Sequence, residues 1–162
     1  KGDILDLDSV ALAMAGQDAV CCTIGVKAPW IRVTVFSEGT RNLLQAMKNT
    51  GVRRLICVTG IGAGDSRGHG GLLYDRFFYP LLLWPIYADK DSQEALIRAS
   101  DVDWTIVRPG FLTNGPLTGH YRMLTNMTGV TAGRVSRADV ADFMLKELET
   151  NQYLRQTPLL TY

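Results

Sequence analysis

The sequence is short of most features that would announce a specialised function. Its 162 residues hold only two histidines and three cysteines, and neither set shows metal-ligand spacing. Cys21 and Cys22 are adjacent, so in a strand they point to opposite faces and cannot chelate together. With Cys57 they make an odd number of thiols inside apolar strand-like runs, which suits reduced core cysteines of a cytoplasmic protein rather than a disulfide framework. His69 and His120 sit in glycine-flanked loops with no recognisable partner and are expected at the surface. Charge of one sign is lacking: a net charge of +1 gives no support to a nucleic-acid or strongly anionic partner. The most apolar stretch, Leu72–Tyr87, is interrupted by Asp75, Arg76, Pro80 and Pro85. A membrane span needs roughly 18 clean apolar residues, so none is expected. No signal peptide, internal repeat or low-complexity segment is visible. The expected organisation is one domain over residues 1–162.

What is present is organised around Arg53–Gly60 and the glycine-rich exit Ile61–Ser66. Leu55–Val58 is an unbroken apolar run, the pattern of a strand buried on both faces in a parallel sheet. Asp18–Gly25 and Trp104–Pro109 read as two more buried strands. Between them lie helical patterns. Asp8 can cap a short helix through Ala15, stopped by Gly16. A second helix starts near Ser37, carries Leu43, Leu44 and Met47, and closes at Asn49–Gly51. A third covers Asp89–Ser100 with Leu96 and Ala99 inward, and Ser136–Asp139 resembles a capping box opening a fourth. Within Val26–Phe36, Pro29 argues for a loop while Ile31, Val33 and Val35 alternate like a strand. Phe111–Gly133 has no periodicity, and Pro158–Tyr162 reads as a last edge strand. Buried strands alternating with helices imply an α/β fold with a parallel sheet and right-handed crossovers.

Three of these strands run out into Gly25, Thr59–Gly60 and Pro109–Gly110. Any one glycine can simply end a strand. Three backbone-open turns on one sheet edge point to a nucleotide cleft, because ligands bind outside the carboxyl ends of such strands.

Gly2–Asp6, Gly16–Val20, Val58–Asp65, Asp103–Gly110 and Ser136–Ala141 occur in an order that resembles the atypical short-chain dehydrogenases/reductases. The nearest likeness is to the NmrA-like and biliverdin/flavin-reductase-like NAD(P)H-binding group. The resemblance runs nearly the whole chain, and the strand ending in Arg108–Gly110 is its most specific part. It implies a Rossmann-type, doubly wound parallel sheet with NADP(H), or NAD(H), across its carboxyl edge. It also implies reduction of a small carbonyl, quinone or flavin-like acceptor, walled by Leu72–Tyr87 and Phe111–Gly133. By the same resemblance Asp3 and Ile4 would flank the adenine, and Thr23, Ile24 and Gly25 would follow the ribose and pyrophosphate. Thr59 and Gly60 would sit beside the nicotinamide, Pro109 and Gly110 would meet its carboxamide, and Lys90 would bond the ribose hydroxyls. Asp3 equally suits a turn, and Thr59 is also a plain β-former.

Better-known members of the superfamily use Tyr-x-x-x-Lys, in which the lysine lowers the phenol pKa. Here Tyr87 and Lys90 are one residue closer, which still leaves them on one helix face but also suits a packed tyrosine. With Thr59 they are the candidate catalytic residues. The absence of an intact Tyr-x-x-x-Lys keeps open a second expectation, a non-catalytic dinucleotide sensor.

The resemblance also exposes a gap. The family's first strand, its Gly-x-x-Gly-x-x-Gly turn and the helix that holds the pyrophosphate have no counterpart in the sequence. The expectation is an N-terminally incomplete domain with an unpaired edge at Asp18–Gly25, open to strand exchange between copies as a homodimer.

Overall fold

The computed structural model describes residues 1–26 and 33–162. The contest between Pro29 and Ile31 therefore lies outside the described residues, while Val35 already opens a helix. The chain runs α1 (Leu7–Met14), β1 (Ala19–Cys22), α2 (Val35–Thr50), β2 (Arg54–Val58) and a single tight turn Gly64–Ser66. A π-helical segment, Tyr74–Leu83, then leads without a break into α3 (Trp84–Ala99). It is followed by β3 (Asp103–Pro109), β4 (Phe111–Thr113), β5 (Arg122–Leu124), β6 (Arg134–Ser136), α4 (Arg137–Thr150) and β7 (Leu159–Thr161).

The main sheet has the order β1-β2-β3-β7-β5. Its first four strands are parallel and β5 is antiparallel to β7. β4 and β6 form a separate parallel ribbon. This is a Rossmann-like α/β fold with a mostly parallel sheet. Strand alternation sends Cys22, Leu55, Cys57, Trp104 and Ile106 to one face, where they pack with Met14, Leu43, Met47 and Ile97 from α1, α2 and α3. Ile56, Val107 and Leu160 point to the other face and pack under Val140, Phe143 and Met144 of α4. Arg54 crosses that second face to a buried pairing with Glu147 at 2.9 Å, and Thr105 bonds the same carboxylate.

Several local expectations shift. Residues 1–6 form a turn, with the Asp3 carboxylate accepting from Leu5 N. Asp6, not Asp8, caps α1, accepting from the Asp8 amide at 3.1 Å. Gly16 does take the left-handed conformation. Ser136 caps α4 through the Asp139 amide, but the return bond of a capping box is absent because Ser136 N donates to the Tyr162 hydroxyl. Leu159–Thr161 is no edge strand: it lies between β3 and β5 and is buried throughout. In α3 Leu96 is only half-buried and Ala99 is exposed, while the buried face carries Asp89, Lys90, Gln93 and Glu94 beside Ile86 and Ile97.

Candidate functional site

The parallel register brings the strand tips to one edge. Cys22 lies opposite Cys57 and Val58 opposite Val107. Beyond β2 the ladder continues through Thr59 N to Val107 O at 2.9 Å and Ile61 N to Pro109 O at 3.1 Å. The three glycine exits differ. Gly25 has open space where a side chain would stand. Gly60 has φ +144°, and a Cβ there would lie 3.2 Å from the Tyr87 hydroxyl. Gly110 is not open at all, since a Cβ would strike Gly133 O at 2.3 Å.

The charged stripe of α3 faces these tips. Asp89 accepts the backbone amides of Phe36 and Ser37 at 2.9 and 3.3 Å, closing the N-terminus of α2. Lys90 donates to Thr59 O at 2.6 Å and lies 4.5 Å from the Phe36 ring centre. Burial lowers its pKa, against the opposing pull of Cys57, Cys22, Glu94 and Asp89. Glu94 accepts from the Thr59 hydroxyl at 2.7 Å and from Arg108 at 3.0 and 2.6 Å. The third Arg108 nitrogen reaches Asp65 at 2.6 Å, so one buried guanidinium ties β3, α3 and the loop after β2. The same loop is held on its outer side by Asp91, which accepts from Gly64 N and pairs with Arg67.

Tyr87 and Lys90 share α3 but are engaged with different groups. The Tyr87 hydroxyl meets that of Tyr74 at 3.0 Å, and Tyr74 lies 3.2 Å from Ile61 O. Tyr74 has one proton, so when it donates to Ile61 O the Tyr87 hydroxyl is the donor to Tyr74. Burial raises both phenol pKa values, so both are protonated at neutral pH. Lys90 thus does not act on Tyr87 as the lysine of Tyr-x-x-x-Lys acts on its phenol.

The front residues are placed more loosely. Asn42 donates to Ile4 O at 2.9 Å, and Ile4 packs where Gly39 leaves no side chain. Asp3 and Thr23 are exposed, and Ile24 is half-buried against the core. Of the two histidines, His120 is exposed while His69 is half-buried with Nδ1 2.8 Å from Val130 O. No helix among the described residues is long and apolar enough to cross a membrane.

Comparison with known proteins shows the family of the chain. Residues 1–151 match the NAD(P)H-binding family. The chain belongs to that family. It is 29% identical over 156 residues to an uncharacterized chloroplastic protein of Arabidopsis thaliana, covering 91% of this chain and 54% of that one. It therefore spans about half the length of that relative. Among solved structures, ChuY of Escherichia coli O157:H7, described as an anaerobilin reductase, superposes with TM-score 0.80 at 24% identity over 99% of this chain and 72% of that one. A short-chain dehydrogenase/reductase of Veillonella parvula in complex with NADP gives TM-score 0.79 at 16% identity, covering 99% and 70%. At these identities the two structures are similar to this chain in fold.

The residues present suit the cofactor of the NAD(P)H-binding family. The Lys90 ammonium carries three protons and, among the described residues, one oxygen partner in Thr59 O. Ribose hydroxyls would be acceptors of the kind its other protons lack, and a side chain at Gly25 would meet open space. Three contributors escaped the sequence reading: Glu94, Arg108 and Tyr74. A signal for the first existed, since Ile86, Lys90, Gln93, Glu94 and Ile97 fall on one helical stripe. Tyr74 gave none, because its partner Tyr87 is thirteen residues away.

Proposed function

We propose that this member of the NAD(P)H-binding family is a reductase of the atypical short-chain dehydrogenase/reductase branch. Its acceptor is a small carbonyl, quinone or flavin-like compound. The observation that carries this reading is the Tyr87 phenol, poised over Gly60 and linked through Tyr74 to Ile61 O, beside the strand tip whose Thr59 carbonyl holds Lys90. Bound NAD(P)H supplies the hydride. The chain's part is to hold the dinucleotide through Lys90 and the backbone of Gly25 and Gly60, and to offer a proton from Tyr87. Tyr74 keeps that phenol oriented. Next to Tyr74 an apolar recess of 480 Å³ is lined by Gly70, Gly71, Leu72, Leu73 and Phe111. Tyr74 and Phe111 meet edge to face with centroids 5.1 Å apart, a wall suited to a flat acceptor. ChuY's description as an anaerobilin reductase supports adding a linear tetrapyrrole to the acceptors tried.

NADPH consumption followed at 340 nm with quinone, aldehyde, flavin and linear tetrapyrrole acceptors tests the proposal. Turnover that falls in Tyr87→Phe is expected. Binding of NADPH without turnover of any acceptor would favour the second reading, a dinucleotide sensor. The engagement of Lys90 with Thr59 O instead of Tyr87 is the observation behind that alternative.

A further inference from the structure

Cys22 and Cys57 are register partners on adjacent parallel strands. Both side chains point to the same face of the sheet, and they are 5% and 1% exposed. Adjacent strands lie about 4.8 Å apart, inside the roughly 4.4–6.8 Å separation of α-carbons that a disulfide spans. Core packing alone does not call for sulfur at both positions. A buried ammonium lies near them, for Lys90 is within electrostatic reach of both Cys57 and Cys22. The carboxylates of Glu94 and Asp89, on the buried face of α3, also act on Lys90. Cys22 is the last residue of β1, and the chain beyond it at Thr23 is exposed.

We infer that Cys22 and Cys57 are a reversible redox pair that closes into a disulfide when a peroxide-class oxidant reaches Cys22. The Cys22 sulfur, as thiolate, attacks the peroxide oxygen. It becomes a sulfenic acid and releases water after protonation. The Cys57 sulfur then attacks the Cys22 sulfur, its proton leaves with the hydroxyl as a second water, and the S–S bond forms. Two thiols are oxidised and one peroxide is reduced. The asymmetry of the pair suits these roles. Hydrogen bonding from the Cys57 thiol, the Ile24 backbone and the Lys90 charge together lower the Cys22 pKa against its burial. Its hydrogen bond to Cys22 and its own burial push Cys57 well up. Cys21, on the opposite face and exposed, stays outside the pair.

The disulfide ties together the two tips that carry Thr23–Gly25 and Thr59–Gly60, beside Lys90. It therefore couples oxidation to cofactor binding. This second half rests on the site proposed above.

The test uses the full chain with Cys21→Ser, oxidised by hydrogen peroxide, alkylated, and digested with trypsin. The expected result is a loss of about 2 Da, two hydrogens, and a cross-linked pair of peptides containing Cys22 and Cys57, both reversed by dithiothreitol. Alkylation of both cysteines after oxidation, or Cys22 trapped as sulfinic acid without a cross-link, overturns the pair. So does a cross-link that persists in a Cys22→Ser chain retaining Cys21. In parallel, NADPH titration by fluorescence should show affinity weaker by about tenfold or more after oxidation, and recovered on reduction. Unchanged affinity in protein whose disulfide is proven by mass overturns the coupling. If reduced protein binds no NADPH, the cofactor site fails, and the mass measurement alone decides the disulfide.

Discussion

Glu94→Leu leaves the Arg108 side chain, 0% exposed, without its two bonds at 3.0 and 2.6 Å. Breaking a buried ion pair by removing one partner costs about 3–5 kcal/mol, because the remaining charge cannot return to water. Asp65 stays bonded to one nitrogen and draws the cost toward the lower end. The double variant Glu94→Leu with Arg108→Met removes both charges and leaves apolar side chains of similar bulk. Its main loss is the acceptor of the Thr59 hydroxyl, about 1–3 kcal/mol. Urea denaturation of the four proteins gives the cycle. For a chain of this size the Glu94→Leu loss corresponds to a drop of about 6–20 °C in melting temperature. The coupling should exceed about 2 kcal/mol, with the double variant more stable than Glu94→Leu. Additive losses, or a Glu94→Leu protein within about 1 kcal/mol of the parent, would refute the claim that this pair is dry and mutually dependent.

Lys90→Met should weaken NADPH binding by about 1.5–3 kcal/mol, read by calorimetry, as lost charge-assisted hydrogen bonds do. Unchanged affinity would confine Lys90 to holding Thr59. Tyr74 and Tyr87 have pKa values raised above 10.0, so the stability they contribute is complete below pH 10 and lost as pH rises through their folded values. Ultraviolet titration should find late-ionising phenols that disappear in Tyr74→Phe and Tyr87→Phe; normal ionisation of both would contradict their burial. Asp139 is buried, which alone would raise its pKa, but bonds from Tyr162, Gly119 and Thr118 outweigh that and hold it well below 3.8. Its contribution is therefore present above about pH 4 and lost as pH falls through the folded value. Asp139→Asn should flatten the acid limb of the stability profile, and an unaltered limb would show those bonds to be weak.

The α/β alternation and the glycine exits were legible because burial of a strand on both faces leaves an unbroken apolar run, as at Leu55–Val58. Leu159–Thr161 reads as an edge strand in sequence because its outer partner β5 is largely exposed and has no apolar pattern to betray it. The inner face of α3 is hidden in the sequence for a deeper reason. Its charges are buried against partners far along the chain, Glu94 with Arg108 and Asp89 with the amides of Phe36 and Ser37. A rule that sends apolar residues inward misses such a face. Asp6 and Asp8 are equally good capping residues, and only the geometry of the preceding turn chooses between them.

The position of β7 sets an order of assembly. It pairs with β3, and the two strands are separated by a long excursion through β4, β5, β6 and α4. Closing that loop is entropically slow, so contacts of this kind tend to form late. Yet β7 and the residue before it supply the last backbone partners around Arg108, with Arg108 N donating to Pro158 O and Gly110 N to Leu160 O. Without β7 the edge of β3 would carry Arg108 N and Gly110 N unpaired, so the strand that comes last in the chain completes the backbone bonding of the one that holds the buried guanidinium.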